Sequence, residues 1–157
     1  MSRTKYLAVS DFLHRTSDNM SNKIFFSSFK AKLECLDDVL GFAESCLEKC
    51  GCPMKSMNQI CLALEEAFVN VASYAYPESD GKAELRIEYY GDRALLILSD
   101  SGVPFNPLEN AEPDVTLSAE ERDIGGLGIF MVKKIMDEVA YSYSDGKNIL
   151  TMEKKFA

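Results

Sequence analysis

The spacing of hydrophobic and polar residues changes several times along the chain, and each spacing predicts a different element. Residues 23–30 are rich in aromatic side chains, which predicts a first strand. Over residues 33–50, apolar positions recur every three or four residues, as in an amphipathic helix that ends at Gly51. The same spacing continues over residues 54–75 and predicts a second helix, stopped by Pro77.

The next segments switch to the spacing of strands. Residues 83–90 alternate strictly between apolar and polar side chains, which predicts a half-buried strand. Gly91-Asp92 suits a two-residue hairpin turn. Residues 94–98 are apolar almost without interruption, so we expect a central strand that is covered on both faces.

The last third combines a long irregular segment, a helix and a hairpin. Residues 101–124 have no periodicity, whereas residues 127–137 have helical spacing. Two strands are predicted over residues 138–144 and 147–156, joined by the hairpin signal Asp145-Gly146. The order β-α-α-β-β-loop-α-β-β predicts an α/β two-layer sandwich, with helices on one face of a mostly antiparallel, mixed sheet. We expect a loose N-terminal arm over residues 1–22 and a single domain over residues 23–157.

Composition limits the functions that the chain can have. With 157 residues, 46% hydrophobic and 27% charged, it is long enough for one domain with a real core. Its net charge of −8 argues against direct binding to nucleic acid. No apolar run reaches the roughly 20 residues that span a bilayer, and no signal peptide is evident, so we expect a cytoplasmic protein without membrane contact. The five cysteines are typical of small buried or half-buried thiols; their spacing only weakly suggests a zinc site.

The second predicted helix carries a carboxylate and an amide on one face. Glu66 and Asn70 are four residues apart, whereas Glu65 lies about 100° away round the helix. A carboxylate can accept a proton from an attacking hydroxyl, and an amide oxygen can ligate Mg²⁺. A solvated helix face is the alternative interpretation, and only the unusual mid-helix position of Asn70 argues against it.

Asp100-Ser101-Gly102 directly follows the predicted central strand. The carboxylate of Asp100 could accept a hydrogen bond from the exocyclic amine of adenine, and Gly102 would allow a base or a backbone to approach closely. An ordinary Asp-Ser-Gly turn explains the same residues equally well.

Glycines are concentrated where the third helix begins, in Gly125-Gly126-Leu127-Gly128. Bare backbone N–H groups at a helix N-terminus favour phosphate, although a flexible helix entry is the simpler alternative. The segment between Asn106 and Ile124 would then form a lid, or else a solvated surface loop. It is acidic, so Arg122 and Mg²⁺ would have to offset its charge near a triphosphate.

In order and spacing, these three motifs resemble those of a known superfamily. Residues 66–70 resemble the N box of the GHKL ATPases, the superfamily of gyrase, histidine kinases and MutL. Asp100-Ser101-Gly102 resembles the first glycine box, and Gly126-Leu127-Gly128 the second. The wording Asp-Ser-Gly-Val-Pro-Phe-Asn-Pro, followed by Gly-Gly-Leu-Gly-Ile-Phe-Met-Val, is similar to the stand-alone anti-sigma factor serine/threonine kinases of bacteria. The resemblance covers roughly residues 23–156.

The resemblance implies the Bergerat ATP-binding fold, with ATP and Mg²⁺ as ligands, and it assigns a role to each motif. Glu66 would be the general base, Asn70 the Mg²⁺ ligand and Asp100 the adenine acceptor. The nucleotide pocket would be shaped by Gly102, Gly126 and Gly128, with Arg122, Gly125 and Leu127 beside them. Relatives phosphorylate a serine or threonine of a small STAS-domain antagonist, sequester a sigma factor, and act as homodimers. Tyr74 stands where many relatives have histidine.

Three functions follow as expectations. The first is an ATP-dependent protein serine/threonine kinase that regulates transcription by partner switching. The second is a module that binds nucleotide without phosphoryl transfer and sequesters a regulatory partner such as a sigma factor, for which the acidic surface would suit a basic segment. The third is a detached ATPase domain of a larger signalling complex.

Overall fold

The structure is a computed structural model that describes residues 22–109 and 126–156. It contains five strands, three α-helices and two short 3₁₀ turns, at Leu33–Cys35 and Pro107–Glu109. In chain order, the elements are β1 (Lys23–Lys30), α1 (Leu36–Lys49), α2 (Met54–Tyr74), β2 (Lys82–Tyr89), β3 (Arg93–Asp100), α3 (Gly126–Ile135), β4 (Glu138–Ser144) and β5 (Lys147–Lys155). None of the described helices is both long enough and apolar enough to cross a bilayer.

The five strands form one open sheet in the order β1-β2-β3-β5-β4. The sequence had suggested a mostly antiparallel, mixed sheet. Among the described strands, all four pairings are antiparallel, so the sheet has no parallel pair. Two of these pairings, β2–β3 and β4–β5, are hairpins, which are antiparallel because a short turn reverses the chain. The predicted two-layer α/β arrangement is confirmed.

The helices cover one face of this sheet and enclose the main core. Phe68 and Leu64 of α2 are fully buried against strand side chains such as Leu85 and Leu96. The predicted alternation of β2 is confirmed, since Ala83, Leu85, Ile87 and Tyr89 all belong to this core. On the opposite face, Leu95 is buried in a separate small cluster with Tyr90 and Ala140. Strand β3 is thus central and has buried side chains on both faces, as its sequence predicted.

Element boundaries agree with the sequence pattern to within a few residues. The largest difference is at α1, where Leu33–Cys35 forms a 3₁₀ turn before the helix begins at Leu36. Gly51 has a φ of 76° and ends α1 in the left-handed conformation that glycine adopts without strain. Asp145 and Gly146 both have positive φ, as a type I′ hairpin turn requires. The predicted N-terminal arm lies outside the described residues, except for Asn22.

Candidate functional site

The site is organised around Asp100, the last residue of β3. Its side chain is 7% exposed. The oxygen Oδ1 accepts two hydrogen bonds at 2.9 Å, one from the backbone N–H of Gly102 and one from Nδ2 of Asn148 on the adjacent strand β5. These two bonds fix the carboxylate at the C-terminal end of the central strand β3, near the end of α2. The Asp-Ser-Gly segment, for which an ordinary turn was the alternative interpretation, is thus closed by the Asp100 side chain and tied to β5.

Gly102 is required by a close approach of the backbone. A Cβ atom built on this residue would overlap the carbonyl group of Ala75, the residue that follows α2. The same carbonyl oxygen accepts a hydrogen bond from the N–H of Val103 at 2.9 Å. The segment after β3 therefore rests directly on the C-terminal end of α2, which brings Asp100 close to the face of that helix.

Asn70 and Asp100 line the same pocket. Its walls are mainly apolar and come from α2, β3, β5, α3 and the segment after β3; they include Val71, Leu98, Val103, Phe105, Ile129 and Leu150. The pocket is partly open to solvent and has a volume of about 50 Å³. A heteroaromatic base would need a wider opening. Such a pocket, apolar with few polar groups, is typical of a small-molecule site.

Two exposed aromatic rings stand at the mouth of this pocket. The ring centroids of Tyr74 and Phe105 are 6.4 Å apart. Both rings are more than 40% exposed, and Val103 beside them is 48% exposed. Val103 and Phe105 are therefore only partly covered by other groups, and this is the least confined wall of the pocket.

Glu66 lies against the N-terminal half of α3. A Cβ atom on Gly128 would overlap Oε2 of Glu66, so the carboxylate occupies the space that the glycine leaves free. The first and third sequence motifs, which lie about sixty residues apart in the chain, therefore meet in space. This contact places the Glu66 carboxylate at the glycine-rich helix entry.

The remaining predicted site residues fall at the edge of the described structure or beyond it. Helix α3 begins at Gly126 and includes Leu127 and Gly128, so the second glycine box does open a helix. Arg122 and Gly125 lie outside the described residues. Most of the predicted lid, residues 110–124, also lies outside them. On the near side of that segment, Leu108 is buried and its carbonyl oxygen accepts a hydrogen bond from Lys133 Nζ of α3 at 3.2 Å.

Sequence reasoning missed Asn148, which is 7% exposed and contacts Asp100. One signal was available, because asparagine is depleted in strands and this one lies two residues after a hairpin turn, within a predicted strand. Its register partner, Asp100, depends on how β3 and β5 pair, and the sequence did not provide that. Tyr141 also lines the pocket. Burial raises the pKa of Tyr141 above its usual value. A hydrogen bond from a backbone N–H lowers this pKa again in part, and the nearby charge of Asp100 adds to the increase.

Tyr76 supports the site from the side away from the pocket. Its hydroxyl donates to the carbonyl oxygen of Lys82 at 2.7 Å and accepts from the N–H of Ser101 at 2.8 Å. Burial raises the pKa of this hydroxyl, so it stays protonated and keeps its donor at neutral pH. The turn after Asp100 is thereby held from two sides, by Tyr76 and by Ala75.

The family model described as "Histidine kinase-like ATPase domain" matches residues 29–154. Among curated proteins, the chain is similar to "Serine-protein kinase RsbW" of Listeria monocytogenes, with 32% identity over 65% of this chain and 68% of that protein. The protein of the same name from Bacillus mycoides is 26% identical over 60% of this chain and 61% of that protein.

Among solved structures, the chain is similar to that of the RsbU and RsbW domains of Rv1364c from Mycobacterium tuberculosis. The TM-score is 0.58 at 12% identity, and the match covers 85% of this chain and 32% of the other. At this identity, the likeness concerns the fold alone.

The fold and the site thus define an ATP-binding domain of the GHKL class. The chain belongs to the family of histidine kinase-like ATPase domains. The assignment that the three sequence motifs suggested is confirmed, and the relatives named as serine-protein kinases agree with the narrower resemblance.

The residues of the site fit the ligand that the family implies. Asp100 offers an acceptor to an amine, Asn70 offers an amide oxygen, and Gly126 opens a helix N-terminus. The described residues contain no cluster of three or more His, Cys, Asp or Glu side chains that could hold a metal by themselves. Mg²⁺ in nucleotide sites usually takes one or two protein ligands and completes its shell with phosphate and water.

Proposed function

We propose that the protein is an ATP-dependent protein serine/threonine kinase that acts as an anti-sigma factor and switches between partners. The observation that carries the proposal is the meeting of Glu66 with Gly128, beside a pocket lined by Asn70 and Asp100. In this arrangement, a carboxylate lies at the helix N-terminus where phosphate groups are favoured. The names of the serine-protein kinase relatives support the same reaction.

In the proposed reaction, ATP is the phosphoryl donor and a serine or threonine hydroxyl is the acceptor. Glu66 accepts the hydroxyl proton as the oxygen attacks the γ-phosphorus, and ADP leaves. Asn70 would ligate the Mg²⁺ that accompanies ATP, and Asp100 would accept a hydrogen bond from adenine. Gly102, Gly126, Leu127 and Gly128 would shape the pocket, and Arg122 and Gly125 would lie near the phosphates. Catalysis would rest mainly on positioning and on charge neutralisation.

We also propose the partners. The acceptor protein would be a STAS-domain antagonist, and the sequestered partner a sigma factor or a similar regulator. The net charge of −8 suits a basic surface on the sequestered protein. The family resemblance favours a homodimer. The net charge of −8 and the lack of a long apolar run in the given sequence favour a cytoplasmic protein that binds neither nucleic acid nor membrane.

The test is phosphoryl transfer from Mg-ATP to a STAS-domain protein encoded beside this gene. We expect Glu66→Ala to reduce the rate of transfer at least a hundredfold, since a general base contributes roughly 10² to 10⁴. Glu65→Ala is the matched control, because Glu65 is the neighbouring carboxylate on a different face of α2; it should keep the wild-type rate.

Equal rates for wild type and Glu66→Ala would contradict the kinase proposal. Nucleotide binding by calorimetry without transfer to any partner would instead select the binding module that the sequence left open. Hydrolysis of ATP without a protein acceptor would select the detached ATPase domain.

A further inference from the structure

We infer that Asn148 is a positioning residue that fixes the Asp100 carboxylate and thereby sets the preference of the pocket for a base with an exocyclic amine. This inference rests on the proposed nucleotide site and concerns a residue that none of the three sequence motifs contains. Asn148 lies near the start of β5, opposite Asp100 in the register of β3 and β5.

The amide of Asn148 uses its complete hydrogen-bonding capacity. Nδ2 donates to Oδ1 of Asp100 and to the carbonyl oxygen of Val103, both at 2.9 Å. Oδ1 accepts from the N–H of Phe105 at 3.1 Å and from the hydroxyl of Tyr141 at 2.5 Å.

These four partners also determine which way the amide points. A carboxylate and a carbonyl oxygen only accept, and a backbone N–H only donates, so exchanging the nitrogen and the oxygen would break three of the four bonds. Asn148 therefore has one orientation, in which a donor faces Asp100.

The two carboxylate oxygens of Asp100 therefore have different roles. Oδ1 already accepts from Asn148 and from the N–H of Gly102, which fills both of its lone pairs in the plane of the carboxylate. Within the described residues, Oδ2 has no such partner, so it is the acceptor that remains for a ligand in the pocket. Without Asn148, the carboxylate could rotate and exchange its oxygens.

The same side chain holds the wall of the pocket. By binding Val103 and Phe105 through their backbones, Asn148 fixes the main chain of the segment after β3 while the two exposed side chains stay free to turn. The pocket can then widen for a flat base without moving the acceptor. Because the acceptor is fixed and the wall can widen, the pocket would select a base by its hydrogen bonding rather than by its size.

This geometry predicts the kind of base that is accepted. An adenine amine donates to the fixed carboxylate oxygen. The corresponding oxygen of hypoxanthine is an acceptor, and two acceptors face to face leave a buried group unpaired. Inosine triphosphate, which carries the same triphosphate as ATP, therefore isolates the contribution of this contact.

The experiment measures the affinities for ATP and for inosine triphosphate by calorimetry on the full chain. We expect Asn148→Ala to weaken ATP binding roughly tenfold, the range for a hydrogen bond to a charged group. Inosine triphosphate should lose less, so the ratio of the two affinities should fall about fivefold or more. Asn58→Ala, an asparagine exposed on α2, is the matched control and should leave both affinities unchanged.

A second, isosteric variant keeps the test independent of cavity formation. Asn148→Asp has the same shape as the wild type but places a carboxylate against Oδ1 of Asp100, so we expect a larger loss of ATP affinity than in Asn148→Ala. A residue with a purely structural role would weaken both nucleotides equally, and an unchanged ratio in both variants would overturn the inference.

The nucleotide site itself is tested by a separate variant. Asp100→Ala should abolish discrimination between ATP and inosine triphosphate. If wild type bound neither nucleotide, the proposed function would fail. If Asp100→Ala lost discrimination while both Asn148 variants kept it, only the role of Asn148 would be overturned.

Discussion

The Oε2 atom of Glu66 fills the space above the Cα atom of Gly128, so any side chain at position 128 would overlap it. Gly128 lies in α3, and Glu66 lies in α2, about sixty residues earlier. The missing side chain at position 128 therefore leaves the space that the Glu66 carboxylate occupies, in addition to any role of the glycine backbone toward phosphate.

This contact makes Gly128→Ala a test of the position of Glu66. The new Cβ would force the carboxylate out of its place, and we expect transfer to a STAS-domain substrate to fall at least tenfold, within the range of a displaced general base. ATP affinity should change less, because Asp100 and Asn70 are untouched. Steady-state kinetics and calorimetry on the same preparation measure the two effects.

Gly41→Ala is the matched control for Gly128→Ala. Gly41 also lies in a helix, α1, but a Cβ there meets no atom within 4 Å. Alanine should stabilise this helix by up to about 1 kcal/mol and leave transfer unchanged. Full activity of Gly128→Ala would show that Glu66 need not lie where it does.

Gly102→Ala should disturb the packing of the turn after β3 against the end of α2. The added Cβ would overlap the carbonyl of Ala75 and push away the N–H of Val103, which bonds to that carbonyl. We expect a loss of stability of roughly 1–3 kcal/mol in chemical denaturation, the range for strain or a lost buried hydrogen bond. Ser101→Ala, an exposed neighbour, should stay within about 0.5 kcal/mol of wild type.

Tyr76→Phe should loosen the same turn from its other side. The variant removes the hydroxyl that donates to the Lys82 carbonyl and accepts from the Ser101 N–H. Two lost hydrogen bonds predict a destabilisation of about 1–2 kcal/mol in thermal or chemical unfolding. Tyr143→Phe is the control, since that ring is 48% exposed. Equal stability of the two variants would mean that the hydroxyl of Tyr76 contributes nothing to the turn.

Cys61 of α2 and Cys52, in the connection before that helix, should react slowly. All five cysteines of the chain are free thiols. Burial, followed by the neighbouring Glu44 and Cys52, raises the pKa of Cys61 to about 11, and burial followed by Cys50 does the same for Cys52. The thiolate is the reactive form, so at pH 8 each should react with a thiol reagent roughly a hundredfold more slowly than a free cysteine. Mass spectrometry of alkylated peptides, compared with unfolded protein, measures this.

The raised thiol pKa values also predict how stability depends on pH. Between pH 9 and 11, an unfolded cysteine loses its proton while Cys52 and Cys61 keep theirs, so the folded state binds more protons. The free energy of unfolding should therefore fall as the pH rises through this window. Cys61→Ala should have a shallower fall than wild type in denaturation curves at pH 8, 9 and 10. Parallel curves for the two proteins would contradict the assigned shift.

The sequence by itself determined the elements and indicated the candidate residues of the site. Helical spacing in α2 and alternation in β2 specify which apolar side chains face the main core, because burial of apolar surface follows the period of the backbone. Glu66 and Asn70 are one helical turn apart in any α-helix, so their shared face also followed from local geometry.

Contacts between distant segments were decided only by the tertiary structure. Strand order and the antiparallel register of β3 with β5 place Asn148 opposite Asp100, and the packing of α2 against α3 places Glu66 against Gly128. Neither pairing leaves a periodic trace in the sequence, since the residues are far apart in the chain and each would be compatible with other partners. The chain thus specified which groups the site contains, and the long-range packing decided which of them hold one another in place.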